Sequence, residues 1–486
     1  KDVISWSLIM SSFSKRGKPV SALVVFREMV SQRVELDGMA MVSALNACAK
    51  LPQLNLVISM HALAICCGLD HDLYVMNSLI DAYSKCGFSL SGFMVFSRMP
   101  DRNQVTWNTM LSGFIYNEEF YDALSLIFQM VEKNEGIDDV TVVNILKLSK
   151  HFVQSHWTKI MHCRIIRSTR DYNGVVINSL IDSYANCDLM DIAFKVFVRM
   201  KKKDVVLWST LIAGFFHNGR TDEAIAAFGE MNRTKVAPNS VTITNILEAC
   251  AVSADSRRAK WSHGIAIRHS FDLEVNVGTS IVNMYSKCGE VELSKRVFNR
   301  IPNKNVVTWS AMIAACAAHG LADEALVLLG RMEQQGLNPN AVTFLSLLSA
   351  CSHAGMVAEG LKLVNSMASY WKVELKKEHY SCVVDMLGRS GMLNLAEEVM
   401  EWMCSHREGE SNANAVAAFL SGCRSYMNCQ LGDKATCHIL EREPLDSCGY
   451  MLGSTIYSSH GSYSEAAELR LLATKRRVKI HTGYSK

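Results

Sequence analysis

The sequence predicts an all-α fold, a solenoid of stacked antiparallel helix pairs, and three observations carry that expectation. Trp6, Trp107, Trp208 and Trp309 stand at a constant interval of 101 residues, each in the same local phrase: VISWSLIMSSF, VTWNTMLSGF, VVLWSTLIAGF and VVTWSAMIAAC. Other residue types keep that interval, among them Cys86, Cys187 and Cys288, and Asn77, Asn178 and Thr279. A period this regular marks a repeat array, in which each unit contacts only its neighbours. The composition agrees, with 49% hydrophobic residues and only 7 prolines.

Within one interval three units separate: 3–37, 38–72 and 73–103, of 35, 35 and 31 residues. The cycle restarts at Gln104, Val205 and Val306. Its middle members are 139–173, 240–274 and 341–376, and its short members 174–204, 275–305 and 377–408. Each unit carries two helical patterns with a polar or glycine break between them. In EAIAAFGEM the residues Ala224, Ala227, Phe228 and Met231 form one apolar stripe. Neither helix buries its stripe alone, so the pair folds as a hairpin and stacks on the next. Gly113 and Gly214 stand where first helices need close approach. The first helices are expected to line an extended concave wall, whose hand the residues alone do not set. The expected organisation is an array of about twelve helix pairs over 1–408, looser helix pairs over 409–477, and an unstructured tail over 478–486.

Bulk numbers exclude little and propose little. With 50 Lys and Arg against 47 Asp and Glu the net charge is +3, so charge gives no vote for nucleic acid. The 16 cysteines form no CxxC, and several occupy equivalent repeat positions, as reduced core thiols in a reducing compartment would. No apolar run reaches the roughly 18 residues of a membrane span. The chain opens at Lys1 inside a repeat phrase, without a leader, and so reads as a piece of a longer protein.

The phrases NSLIDAYSKCG, VFSRMPDRN, VTWNTMLSGF and GLNPNAVTFLSLLSACSHAG, in alternating standard, longer and short units, resemble the plant pentatricopeptide-repeat proteins of the mixed-repeat (PLS) subfamily. EHYSCVVDMLGRSGMLNLAEEVM resembles that family's last short repeat, and residues 412–478 its C-terminal extension (E) modules. The resemblance implies a right-handed superhelical solenoid that binds single-stranded organellar RNA in a mitochondrion or chloroplast and specifies cytidine-to-uridine editing sites. Repeat proteins of this kind read one base per unit. In the family the reading residues are the fifth and the last of each unit. Carried over, they are Ser7 with Asp37, Asn77 with Asn103, Asn108 with Asp138, Asn178 with Asp204, Ser209 with Asn239, Thr279 with Asn305, and Ser310 with Asn340; Ser381 is the fifth residue of the last short unit. Longer units carry Val42, Val143, Thr244 and Leu345 at the fifth position, three of which cannot hydrogen-bond a base edge, so these units are expected to be spacers.

Ionised Asp only accepts hydrogen bonds and suits the ring N–H of uracil or guanine, whereas Asn can donate and suits adenine or cytosine. By family analogy Ser or Thr at the fifth position goes with purines and Asn with pyrimidines. Read amino end to 5′ end, the array spells G-n-Y-U-n-U-A-n-A-A, where n is a spacer unit and Y a pyrimidine, with a purine at Ser381. Second-position residues Ile4, Val105, Val175, Val206 and Val307 would pack against base faces; Tyr74 and Asn276 depart from that habit. Asp37, Asn103, Asp204, Asn239, Asn305 and Asn340 each also precede a predicted helix, where Asp and Asn are favoured caps. The two roles are compatible.

Catalytic chemistry is not expected. A zinc deaminase needs H-x-E and P-C-x-x-C; His406-Arg407-Glu408 matches the first half by chance and nothing matches the second. Neither a cofactor nor a metal is expected. The leading reading is a site-recognition factor for organellar RNA editing that recruits a deaminase or an editing-accessory protein in trans. The alternatives are a factor for RNA stability, processing or translation, and a protein-binding helical scaffold.

Overall fold

The structure, a computed structural model, describes residues 2–51, 53–152, 155–167, 173–406, 413–442, 447–476 and 478. Among the described residues the regular structure consists of 28 α-helices with no strand, the all-α class that the periodicity predicts. Two compact units divide the chain, Lys1–Ala237 and Pro238–Lys486. In the first, helix pairs run from Val3–Lys15 with Pro19–Ser31 to Val205–His217 with Thr221–Arg233. In the second they run from Ser240–Ser253 with Ser256–Arg268 to Ser447–Ser459 with Tyr463–Lys475. Within each compact unit a first helix packs on its own second helix and on the first helix of the next pair.

Short repeats lose length at a defined place. In three of them the second helices, Ser89–Arg98, Met190–Arg199 and Val291–Arg300, have 10 residues each, against 13 in Pro19–Ser31 and Thr221–Arg233; in the last short unit the second helix, Leu393–His406, keeps 14. The first helices of those three end at Cys86, Cys187 and Cys288. The next residue turns left-handed, at φ 83° in Gly87 and 78° in Gly289, where glycine meets no steric cost. The amide beyond it then returns to the helix, as in Phe88 N–H to the Tyr83 carbonyl at 3.0 Å, which satisfies an otherwise orphaned acceptor.

The period is also the period of the core. Trp107, Trp208 and Trp309 are buried and meet Phe96, Phe197 and Phe298 edge to face, with centroids 5.0, 4.6 and 4.9 Å apart. Over those same phenylalanine rings lie Arg102, Lys203 and Lys304, at 4.6, 5.2 and 5.0 Å. The ammonium groups of Lys203 and Lys304 each donate to a carbonyl at the end of a second helix, Met200 and Ile301, at 2.7 Å. One member of the basic run 201–203 is thereby assigned to packing. Close approach of first helices depends on the expected glycines: a Cβ on Gly113 would lie 2.8 Å from Ser84 Cβ, and one on Gly214 2.9 Å from Ala185 Cβ. Among the described residues no helix is long and apolar enough to cross a membrane.

Candidate nucleic-acid interface

The fifth-position side chains sit on first helices, one turn in. Ser7, Asn77, Asn108, Ser209, Thr279 and Ser310 are buried, and Asn178 and Ser381 half-buried. The last-position residues sit at the mouth of the following first helix. Asp37, Asn103, Asp138, Asp204, Asn239, Asn305 and Asn340 each accept the backbone N–H three residues on, at 2.7–2.9 Å. They are therefore helix caps. Capping occupies only one terminal atom. It leaves Oδ2 on an Asp, an acceptor, and Nδ2 on an Asn, a donor.

Three of the predicted pairs are joined. Asn108 Nδ2 donates to Asp138 Oδ1 at 2.9 Å, and Thr141 Oγ1 lies 2.8 Å from both Asn108 Oδ1 and Asp138 Oδ1. Thr279 reaches Asn305 through Thr308, with Oγ1···Oγ1 at 2.7 Å and Thr308 Oγ1 to Asn305 Oδ1 at 2.9 Å. Ser310 reaches Asn340 through Thr343, at 2.6 and 3.0 Å. Among the described residues no hydrogen bond joins Ser7 to Asp37, Asn77 to Asn103 or Asn178 to Asp204. Ala40 and Leu207 stand where the others have threonine, and offer no hydroxyl. Asn77 and Asn178 each bury an Oδ1 with no hydrogen-bond partner, a costly arrangement in an interior. Ser209 lies in the first compact unit and Asn239 in the second. Ser381 Oγ donates to the Lys377 carbonyl at 2.9 Å, and His379 takes the third position of that helix.

Beside these polar groups, the second-position residues Ile4, Val105, Val175, Val206 and Val307 are each more than half exposed, as is Tyr74. An exposed apolar residue repeated beside a polar pair suits stacking of planar bases better than it suits water. In the longer units Val42, Val143 and Leu345 are half-buried and Thr244 bonds only its own helix, to the Ser240 carbonyl at 2.9 Å. Burial pushes the Asp138 carboxyl up, but hydrogen bonds from Thr141 and Asn108 outweigh it and hold the group below the ordinary carboxylate range.

Two sets of residues escaped the sequence reading. The third-position threonines Thr106, Thr141, Thr242, Thr308 and Thr343 are fully buried. The signal was present, since Thr141, Thr242 and Thr343 keep the 101-residue interval. So do three histidine–tyrosine pairs, in which His61, His162 and His263 Nδ1 lie 3.0, 2.9 and 2.9 Å from the hydroxyls of Tyr83, Tyr184 and Tyr285. Among the described residues no group of three or more His, Cys, Asp or Glu is placed to hold a metal ion. Arg407 and Glu408 of the H-x-E match lie outside the described residues.

Fold and site together define a helical-repeat protein in which, at three units, polar side chains of successive first helices meet. The chain belongs to the pentatricopeptide-repeat family. The pattern of the PPR repeat matches residues 4–34, 74–103, 105–135, 175–205, 279–306 and 342–370, and that of the PPR repeat family matches 203–252 and 304–353. A mitochondrial pentatricopeptide repeat-containing protein of Arabidopsis thaliana is 34% identical over 484 residues, covering 99% of this chain and 86% of the relative. Two chloroplastic ones from the same plant are 34% and 30% identical, covering 100% of this chain and 56% and 60% of their own length. The chain spans between half and three-fifths of the first such relatives it matches. Among solved structures, PPR10 in complex with an 18-nt psaJ RNA element aligns with TM-score 0.70 at 16% identity, over 99% of this chain and 75% of that one. PPR10 from maize aligns with TM-score 0.56 at 14% identity, over 98% and 79%. These likenesses are of fold.

Proposed function

We propose that this chain is a mixed-repeat (PLS) pentatricopeptide-repeat protein with C-terminal extension modules, which binds single-stranded organellar RNA base by base. It acts as the recognition factor for a cytidine-to-uridine editing site, with the deaminase supplied in trans. The observation that carries RNA reading is the geometry of the last-position residues. Each uses one atom as a helix cap and keeps the other, donor in Asn and acceptor in Asp; at Asp138, Asn305 and Asn340 a hydrogen-bonded path joins it to the fifth-position side chain. Family membership and PPR10's complex with RNA support the same ligand class. Relatives named chloroplastic or mitochondrial support an organellar site of action. The editing role rests on the resemblance of the units beyond the array.

The test is a shift assay on RNA of sequence G-n-Y-U-n-U-A-n-A-A against a scrambled control, with wild type and Asn340→Asp. A wrong partner in the groove leaves a polar group unpaired and costs about 1–3 kcal/mol, or about five- to hundredfold in affinity. Asn340→Asp loses that factor on the original RNA and regains it when the last adenine becomes guanine. An unchanged preference leaves Asn340 as a helix cap alone. For the editing role, the RNA bound most tightly should lie upstream of a cytidine that is converted when a separate deaminase is added, and no conversion would reduce the function to RNA binding.

A further inference from the structure

An Asn side chain can turn end for end about its last torsion. Turned one way it presents Nδ2, a donor; turned the other way it presents Oδ1, the kind of atom that Asp presents. For a unit that distinguishes adenine from guanine by that one atom, amide orientation is base choice. The backbone N–H at the cap favours Oδ1 inward. A hydroxyl beside it could serve either orientation, because a hydroxyl both donates and accepts.

At Asn340 the surroundings of Thr343 remove that ambiguity. Thr343 Oγ1 receives the Asn340 backbone N–H at 3.3 Å, and Ser310 Oγ lies 2.6 Å away. The Ser310 proton has two acceptors in reach, the Val306 carbonyl at 2.8 Å, which takes it beside the helical amide of residue 310, and Thr343 Oγ1. Thr343 Oγ1 donates to the cap atom that also takes the Thr343 backbone N–H at 2.9 Å. Asn340 Oδ1 is that atom, 3.0 Å from the hydroxyl. The hydroxyl and the backbone N–H of Thr343 thus converge on Asn340 Oδ1 and leave Nδ2 outward, with the Ser310 hydroxyl 2.6 Å from Thr343 Oγ1. The hydroxyl and backbone N–H of Thr308 converge in the same way on Asn305 Oδ1, both at 2.9 Å, with Thr279 Oγ1 2.7 Å from Thr308 Oγ1. Among the described residues, the Asn side chains that cap a first helix of the array, Asn103, Asn239, Asn305 and Asn340, are followed by threonine at the third helical position, whereas Asn173, which makes no such cap bond, is followed by Val176. Behind the Asp caps Asp37 and Asp204 stand Ala40 and Leu207, while Asp138 keeps Thr141; a carboxylate, with two equivalent oxygens, needs no orientation whether or not the hydroxyl is there.

We propose that Thr343 and Thr308 are specificity-positioning residues: each belongs to the unit after the one whose base it governs, and holds the Asn amide in one orientation beside the fifth-position hydroxyl. The inference rests on the RNA-reading function above. It implies that a unit is not a self-contained reader, since its choice depends on the third residue of its successor.

The experiment measures affinity for the RNA above with adenine or guanine at the nucleotide read by Ser310 and Asn340, in the full chain. Thr343→Val keeps shape and removes the hydroxyl, and should reduce the adenine-to-guanine ratio about two- to tenfold, the loss of one neutral hydrogen bond. Thr343→Ser should restore it. The ratio at the neighbouring nucleotide, read by Thr279 and Asn305, should not move, and serves as the measure of intact folding. In the Asn340→Asp background Thr343→Val should leave the guanine preference within about twofold. A wild-type ratio in Thr343→Val, with only a lowered melting temperature, makes Thr343 part of the cap and overturns the proposal. If Asn340→Asp itself fails to exchange adenine for guanine, base reading falls and this inference with it. If that exchange occurs and Thr343→Val is silent, only the positioning role falls.

Discussion

Asn108 and Asp138, 30 residues apart in sequence, meet directly: the Asn108 amide chelates the Asp138 carboxylate, with Nδ2 at 2.9 Å from Oδ1 and 3.1 Å from Oδ2. Fifth and last positions are thus set in register before any ligand arrives. The Asp138 carboxyl is held below the ordinary carboxylate range, so the sign of its linkage is that of a depressed acid. Its contribution is present above the unfolded value of about 3.9 and is lost only as pH falls through the folded value. Preference for uracil at this unit should therefore be constant between pH 5 and 8. Asp138→Asn should exchange it for cytosine, read as the ratio of affinities for the two RNAs. A uracil preference that survives the substitution would show that Asp138 does not read the base.

Glycines offer a paired test of how first helices pack. Gly113→Ala places a methyl against buried Ser84 and should destabilise the fold by about 1–3 kcal/mol. Gly229→Ala, in the helix Thr221–Arg233 with nothing within 4 Å of the new Cβ, should stabilise by about 0.5–1 kcal/mol. Thermal melts of the two variants that move the same way would contradict this account.

Thiol reactivity should follow burial rather than position in the repeat. Burial pushes the thiols of Cys48, Cys250, Cys316, Cys351 and Cys382 up to about 11 and that of Cys423 to about 12. The thiolate is the reactive form. At pH 8 a disulfide-exchange reagent should therefore modify exposed Cys66, Cys67, Cys163 and Cys437 first, half-buried Cys382 later, and buried Cys48, Cys250, Cys316, Cys351 and Cys423 only on unfolding. Peptide mapping after a short pulse decides it; early labelling of Cys250 or Cys351 would count against the packing described.

The three histidine–tyrosine pairs predict an acid response. Burial depresses His61, His162 and His263 below the ordinary imidazole value, and the nearby Arg98, Arg199 and Arg300 add to it, opposed at His61 by Asp70 and at His263 by Asp272. A depressed base is neutral in the folded state while the unfolded chain takes up its proton. Stability is therefore full above about pH 6.5 and falls as pH drops below it. Between pH 7.5 and 5.5 the melting temperature of wild type should fall further than that of a His61→Gln, His162→Gln, His263→Gln variant. Equal falls would show that these imidazoles do not carry the acid sensitivity.

The sequence by itself determined the period, the helical class and the identity of the cap-forming column, because side chains that pack against an identical neighbour must recur at a fixed interval. Trp6, Trp107, Trp208 and Trp309 made that legible, and the resemblance assigned Ser310 and Asn340 to one unit. The third-position threonines kept the same interval and were overlooked, since a lone threonine on a helix has no fixed partner in sequence. What joins Ser310 to Asn340 is a hydroxyl 33 residues from Ser310, on the next first helix. Only stacking one pair on the next brings that oxygen to 2.6 Å; at Ala40 and Leu207 there is no hydroxyl to bring, and at Thr106 the hydroxyl bonds Asn103 but not Asn77. Hydrogen bonds act over a few tenths of an ångström, so tertiary structure decided which pairs are coupled.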